Sequence, residues 1–276
     1  VTPEIGTSSI KKNAGSILNS GLEFEASWKD KVGDFSYSVT ANFSTLHNEV
    51  LSLPAGVPIV TKTDASSTNY PVQTAFEEGM PVWYIRGYEY LGMKDDGTGK
   101  MTYVLNDKNG DGTLDASDFT KIGSGIPTFT YGINVNLAWK DIDFTFFGAG
   151  QGGNQIMPVL HRTGVSNTFK WYLEQYDKGN YPHPSNTVGQ FNFWSSSANI
   201  FSGAFFRIKQ LQLGYTIPRK WTKKALINNL RVYASLDDFF TFTSYPGLDP
   251  ETASTNTSSG AGLDWGSYPT MEKLVL

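Results

Sequence analysis

Gly21-Leu22-Glu23-Phe24-Glu25-Ala26-Ser27-Trp28-Lys29, then Asp30-Lys31-Val32-Gly33, then Phe35 through Ser44: this stretch decides the fold. Successive side chains of a strand point to opposite faces. Leu22, Phe24, Ala26 and Trp28 therefore share one face, and Glu23, Glu25 and Ser27 the other. After the short polar turn at Asp30–Gly33 the pattern resumes. Phe35, Tyr37, Val39, Ala41 and Phe43 alternate with Ser36, Ser38, Thr40, Asn42 and Ser44. Two alternating segments around a tight turn read as a β-hairpin.

A second hairpin has the same form. Phe129, Tyr131, Ile133, Val135, Leu137 and Trp139 alternate with Thr130, Gly132, Asn134, Asn136 and Ala138. A turn at Lys140-Asp141 leads into Ile142, Phe144 and Phe146, with Asp143 and Thr145 between them. A third pair spans 205–215 and 230–242. There the alternation is less clean: Ile208 and Leu211 cannot share a face without a bulge or a change of environment. Helix is sparse: a short turn over Trp221–Leu226, after Pro218, and a segment near 169–176 are the candidates.

Small polar residues, rather than charges alone, fill the second face. That suits a barrel with a wet lumen and a lipid-facing outside bounded by aromatic girdles, and Trp28, Tyr37 and Trp139 stand near the short turns. It equally suits a β-sandwich with one core face and one solvent face. Connection lengths favour the barrel in part. Short turns alternate with long connections over 51–80, 155–198 and 244–267, and membrane barrels place long loops on one side only.

Bulk composition narrows the classes. Charged residues are 17% and aromatics 14% of the 276 residues, while mean hydropathy is only −0.30. Such a chain fits one lipid face and one wet face, or a secreted sugar-binding β-protein. A net charge of −4 with no basic stripe argues against nucleic acid as a partner. Cysteine is absent, which excludes a disulfide framework and thiolate metal sites. No stretch of about 18 apolar residues offers a transmembrane helix. Val1-Thr2-Pro3-Glu4 opens no signal peptide, so we expect a fragment whose targeting signal lies upstream.

The sharpest local motif is the run from Asp107 to Asp118. It matches the twelve-residue calcium loop: Asp107, Asn109 and Asp111 at positions 1, 3 and 5, Gly112 at 6, Thr113 offering its carbonyl, Asp115 at 9 and Asp118 at 12. An EF-hand has Glu at position 12, and the shorter Asp118 would bind more weakly. Flanking helices are not evident, so the expectation is a Ca2+ loop site, against an Asp/Gly-rich turn without metal. Aromatic residues in or beside the long connections form the second candidate: Trp83, Tyr84, Trp171, Tyr172, Trp194, Tyr245 and Trp265. Flat rings near amide groups suit sugar faces and peptides, against plain loop packing.

Catalytic signals are weak. His47, His161 and His183 lack metal-ligand spacing, and Gln151-Gly152-Gly153-Asn154 follows a strand without opening a helix. Glu23/Glu25 and Asp237/Asp238 are carboxylate pairs a β-rich glycosidase could use, but a wet barrel face explains the first pair better. We expect no enzyme.

Several segments in order resemble the SusC/RagA family of TonB-dependent transporters. Phe205-Phe206-Arg207-Ile208-Lys209-Gln210-Leu211-Gln212-Leu213-Gly214-Tyr215-Thr216-Ile217-Pro218 is similar to its F-L-R-L-K-N-V-T-L-G-Y-T-L-P signature. Leu230–Ser235, Phe240–Thr243, Gly247–Glu251 and Gly262–Pro269 follow in that family's order. Asn19–Glu23, Asn42–Ser44, and the Asp107 loop with Ile122-Gly123 and Pro127 match upstream.

The resemblance implies an all-β, antiparallel up-and-down transmembrane barrel of about 22 strands with long extracellular loops and short periplasmic turns. This chain, 1–276, would be its C-terminal portion, with about eight to ten strands and no plug domain or TonB box. It would lie in the outer membrane of a Gram-negative bacterium, against membrane lipid. There it would import oligosaccharides, or peptides, driven by the TonB complex beneath a SusD-like surface lipoprotein. The alternative is a secreted carbohydrate-binding β-sandwich without a transport role. Two features depart from the family: the last strand, from Thr270 to Leu276, lacks a terminal aromatic, and Asp238 stands where Asn is usual.

Overall fold

A computed structural model describes residues 15–64, 72–99, 101–159, 170–179, 181, 191–254 and 261–276. Val1–Glu4, His161 and His183 lie outside the described residues.

One seven-stranded sheet dominates. Its strands are β1 (Glu23–Val32), β2 (Phe35–Thr45), β3 (Phe129–Trp139), β4 (Ile142–Gly152), β5 (Phe205–Thr216), β6 (Arg231–Thr243) and the short β7 (Lys273–Val275). They lie side by side in chain order, each pair antiparallel. β1 to β6 have 10 to 13 residues each. A tilted strand needs about 9–11 residues to cross a bilayer. The first turn comes later than expected, because β1 continues through Val32 and only Gly33-Asp34 form the bend. Gly33 takes φ +60°, a left-handed conformation that glycine adopts without strain. The neighbouring turn at Lys140-Asp141 is tied to it by Lys140 N–H donating to the Asp34 carbonyl, 3.3 Å.

The register sorts the two faces across the whole sheet. Trp28, Val39, Val135, Phe146, Leu211, Leu236 and Leu274 stand opposite one another in a row spanning all seven strands. One residue along, Lys29, Ser38, Asn136, Thr145, Gln212 and Ser235 form a polar row. A one-residue slip would exchange the faces, so every hairpin must keep its register.

The bulge anticipated between Ile208 and Leu211 is present. Phe147 faces Gln210 while Gly148 faces Ile208, leaving Lys209 as the extra residue. On the other side Gln210 pairs with Asp237 and Ile208 with Phe240, so Asp238 and Phe239 also drop out of register. Ile208 and Leu211 thereby share the apolar face.

The buried core lies in the long connections, not under the sheet. Residues 46–128, 153–204 and 244–272 hold smaller sheets: Ile59–Asp64, Val72–Glu77, Tyr84–Gly87 and Thr120–Gly123; Gln155–Pro158, Phe201–Ser202 and Leu263–Asp264; Tyr90–Asp95 and Met101–Leu105. Their buried side chains cluster as Ile85, Met157, Val159 and Leu263, as Tyr88, Leu105 and Phe119, as Tyr181, Phe193 and Trp194, and as Ile156, Tyr245 and Ala253. Among the described residues seven strands form the wall, fewer than the eight to ten expected, because the strands of the long connections pair among themselves. Ser16–Ser20 and His47–Ser52 prolong the first hairpin beyond a break at Gly21, where a Cβ would sit 1.9 Å from the Thr45 carbonyl oxygen. Both anticipated helical segments are present, at Lys170–Asp177 and Arg219–Thr222.

Candidate functional site

The wall's apolar face is open. Leu22 and Phe24 are each 63% exposed and Trp28 65%, and Trp139, Ile142, Leu213, Val232, Phe242 and Leu274 are exposed too. None of these, nor Val135 or Leu137, belongs to the buried core. A β-sandwich would bury this face against a second sheet; here it stays exposed, and the sandwich alternative is overturned. An exposed apolar surface this extended marks a lipid or protein contact.

Aromatics border that face at both ends. Near the short turns, Trp28 Nε1–H donates to the Tyr37 hydroxyl at 3.3 Å, and the Lys140 ammonium lies 5.0 Å from the Trp139 ring. Near the long connections Phe43, Phe129, Tyr131, Phe206 and Phe242 stack in series, with centroids 5.9 to 6.4 Å apart. Paired aromatic girdles delimit the lipid-facing band of outer-membrane barrels.

The opposite face is a web of hydroxyls and amides. Ser27 and Thr40 hydroxyls are 2.9 Å apart, Ser44 and Thr130 3.0 Å, and Thr145 donates to Asn136 Oδ1 at 3.1 Å. Asn136 in turn donates to Asn134 Oδ1 at 3.0 Å. Near the short turns Arg231 grips Asp143 through Nε at 2.9 Å and Nη2 at 2.5 Å. Such a surface is suited to water and to polar solutes.

A charge cluster joins this wet face to the last long connection. The Arg207 side chain is 4% exposed; it donates to Thr241 at 2.8 Å, to Asp249 at 2.7 Å and to Glu251 at 2.6 Å. Lys209, brought round by the bulge, reaches Glu251 at 2.7 Å and Asp238 at 3.2 Å. Asp249 also accepts from the Thr270 amide at 2.9 Å. Burial alone would raise the Asp249 pKa, but the Thr270 and Glu251 amides and Arg207 outweigh it and hold the carboxyl below the usual range. Asp238 sits at φ +55°, where Asn, Asp or Gly are tolerated, which accounts for its exchange with the family's Asn. This cluster was not read from the sequence. Its signal was two cations two residues apart in a strand otherwise neutral, with Asp249 and Glu251 at the same spacing downstream.

The aromatic candidates are placed as follows. Tyr84, Trp194 and Tyr245 are buried, so their ring faces are taken up by loop packing rather than turned to an open surface. Tyr84 donates its hydroxyl to Glu77, and Tyr245 donates to Asp264 at 2.5 Å; burial, with the nearby carboxylate, pushes both phenols well above their ordinary range. Trp83, at φ +49°, packs edge-on to Phe76 at 4.2 Å. Trp265 lies against the Ile85 cluster. Trp171 and Tyr172 fall on the Lys170–Asp177 helix, and their side chains lie outside the described residues.

The Asp107–Asp118 loop closes on its own amides. Asp107 accepts from Gly110 N–H at 2.8 Å and Gly112 N–H at 2.7 Å, Asn109 Oδ1 from Asp111 N–H at 3.0 Å, and Asp111 Oδ1 from Thr113 N–H at 2.7 Å. Asp115 caps a short helical turn by accepting from Ser117 N–H, and hydrogen bonding from the Ser117 side chain, then from its amide, holds the carboxyl below the usual range. Asp118 is buried and accepts from Lys108 and Asp115 amides, both at 3.0 Å. Gly112 has φ +83°, the sharp turn expected at position 6. Among the described residues no three acidic, His or Cys side chains converge as a metal cluster.

No protein-family profile matches the chain. It is 28% identical over 296 aligned residues to TonB-dependent receptor P3 of Formosa agariphila, covering 98% of this chain and 29% of that protein. It is 24% identical over 266 residues to TonB-dependent receptor SusC of Bacteroides thetaiotaomicron, covering 94% of this chain and 26% of that one. Among solved structures, the RagAB peptide importer in its open-open state superposes with a TM-score of 0.74 at 22% identity, over 99% of this chain and 30% of that one. The chain therefore spans under a third of the length of these relatives.

Open apolar outside, wet inside and one-sided long loops define a wall segment of an outer-membrane β-barrel. The comparisons bear out the sequence resemblance: over nearly its whole length the chain is similar to TonB-dependent receptors, SusC among them, and it shares the fold of the RagAB importer's barrel; receptors of the SusC/RagA type reside in the outer membrane of Gram-negative bacteria. The relatives bear the names of receptors, not enzymes, in agreement with the reading that excluded catalysis.

Proposed function

We propose that the whole protein imports oligosaccharides, with peptides as the second substrate class, across the outer membrane, energised by TonB and capped by a SusD-like lipoprotein. Residues 1–276 form the C-terminal part of its barrel of about 22 strands, with the plug encoded upstream. One observation carries this reading: a single sheet turns exposed aromatic and aliphatic rows to one side and hydroxyl and amide rows to the other. The names of SusC and of the RagAB peptide importer support it. The test is growth of a strain deleted for the full gene. Loss of growth on defined oligosaccharides but not on oligopeptides supports the first cargo, the reverse pattern supports the second, and unchanged growth on both rejects import. Affinity capture of the full receptor should retain a surface lipoprotein.

We also propose the loop from Asp107 to Asp118 as a weak calcium site, using oxygens of Asp107, Asn109, Asp111, Thr113 and Asp115. The residue order and the Gly112 turn support it; the inward commitment of Asp118 limits affinity. Trp83 and Trp265 are the aromatic candidates that keep part of their surface for a ligand. Calorimetry of the full receptor should show calcium binding at millimolar levels that disappears in Asp107→Ala and Asp111→Ala. A wild type silent to calcium leaves only a turn.

A further inference from the structure

The connection between β5 and β6, residues 217–230, differs from the two tight turns beside it. It carries Arg219, Lys220, Lys223 and Lys224 and no Asp or Glu, in a chain whose net charge is −4. Its backbone is drawn together at the base by Ile217 N–H donating to the Leu230 carbonyl at 2.8 Å, then folds as the Arg219–Thr222 helix and a second tight turn over Lys223–Ala225. Only Thr222 is buried. Trp221 is 60% exposed and Leu226 93%, and Ile227 and Leu230 are open as well. In water, so many bare apolar side chains would be unfavourable. Beside an acyl-chain boundary they are suited to the place, with lysine ammoniums reaching toward phosphates. The Lys220 ammonium lies 5.5 Å from the Trp221 ring, so cation and aromatic face the same zone.

The two strands leaving this turn frame an apolar groove of about 340 Å³, lined by Ile142, Leu213, Tyr215, Val232 and Ala234. All five belong to the lipid-facing rows. The groove thus lies on the lipid-facing surface, and its strands lead directly from Tyr215 and Val232 into the cationic turn. We propose that the turn at 217–230 and this groove bind one anionic phospholipid of the leaflet on the short-turn side. Its phosphate sits among Lys220, Lys223 and Lys224, Trp221 lies at the glycerol level, and an acyl chain lies along Leu213 and Val232. Charge complementarity and the shared apolar surface select lipid over a protein partner, which would need a carboxylate-rich face matched to an aliphatic strip.

The test uses the full receptor in detergent, with native mass spectrometry after addition of phosphatidylglycerol or phosphatidylcholine. Wild type should retain phosphatidylglycerol several-fold more than phosphatidylcholine. K220Q/K223Q/K224Q should lose that preference, while K94Q, on the long-loop side, should keep it. Ala234→Leu, which fills the groove, should reduce retention of both lipids. Heat-shifted mobility on gels confirms that each variant is folded. Equal retention of the two lipids by wild type, or undiminished preference in the triple variant, overturns the headgroup site. Unchanged retention in folded Ala234→Leu overturns the groove.

Discussion

The ring of Tyr131 on β3 lies parallel to that of Phe206 on β5, centroids 5.9 Å and planes 4° apart, although β4 runs between them. The contact exists because the β4 residue between them, paired to both, is Gly150. A Cβ there would stand 2.7 Å from the Tyr131 ring and 2.3 Å from the Phe205 carbonyl oxygen. Gly148 and Gly152 are roofed in the same way by Phe206 and Phe129. Glycine in a strand packs no side chain of its own, and a neighbouring ring supplies the missing cover.

Gly150→Val should therefore break the stack and push the strand apart, at a cost of about 1–3 kcal/mol, the range for overpacking. Urea unfolding of the full receptor in lipid vesicles measures it. A midpoint equal to wild type would mean that the roofed glycine is not required.

The two faces predict opposite responses to charge. Val135 lies mid-strand, half-buried on the apolar face, so Val135→Arg should destabilise the membrane-inserted receptor by about 2–4 kcal/mol. Asn136→Arg, one residue on and facing the wet side, should cost far less. If the two substitutions were equally harmful, the assignment of lipid and lumen faces would be wrong.

Within the Arg207 cluster the partners are unequal. Asp249 is 2% exposed on its side chain and Glu251 31%. Removing a buried partner leaves the other charge stranded, so Asp249→Ala should cost about 3–5 kcal/mol and loosen the 244–272 connection. Glu251→Gln should cost about 1 kcal/mol or less, as solvent screens it. Limited proteolysis of the full receptor reads the loosening. Similar cleavage of both variants would contradict this ranking.

The same carboxyl makes the connection acid-sensitive. Its folded pKa is depressed, so the unfolded chain takes up the proton first as pH falls. The stabilisation is complete above the unfolded value, about 3.9, and is lost as pH drops below it through the folded value. Melting temperature should fall more between pH 7 and pH 3 in wild type than in Asp249→Asn. Parallel curves would show that Asp249 contributes nothing to the pH dependence.

Much of the wall was legible because period-two alternation is local. Leu22 to Trp28 and Phe129 to Trp139 announce their faces through side chains two residues apart, and the same period marked an irregularity between Ile208 and Leu211, a bulge or a change of environment, which the pairing resolved as a bulge. What those faces meet was not legible. Alternation describes a sandwich and a barrel equally, and only the exposure of Phe24, Trp28 and Leu213 separated them. The aromatic candidates diverged for a related reason. Tyr84, Trp194 and Tyr245 sit in connections long enough to build cores of their own, and a ring's chemistry is the same whether it faces a sugar or a neighbouring loop. The Arg207–Asp249 pairing joins residues 42 apart in the chain, and the Tyr131–Phe206 stack joins residues 75 apart. Local sequence determined strand, face and turn, because backbone geometry is set by near neighbours. Tertiary structure alone decided partners and burial, because those depend on which distant segments the register brings together.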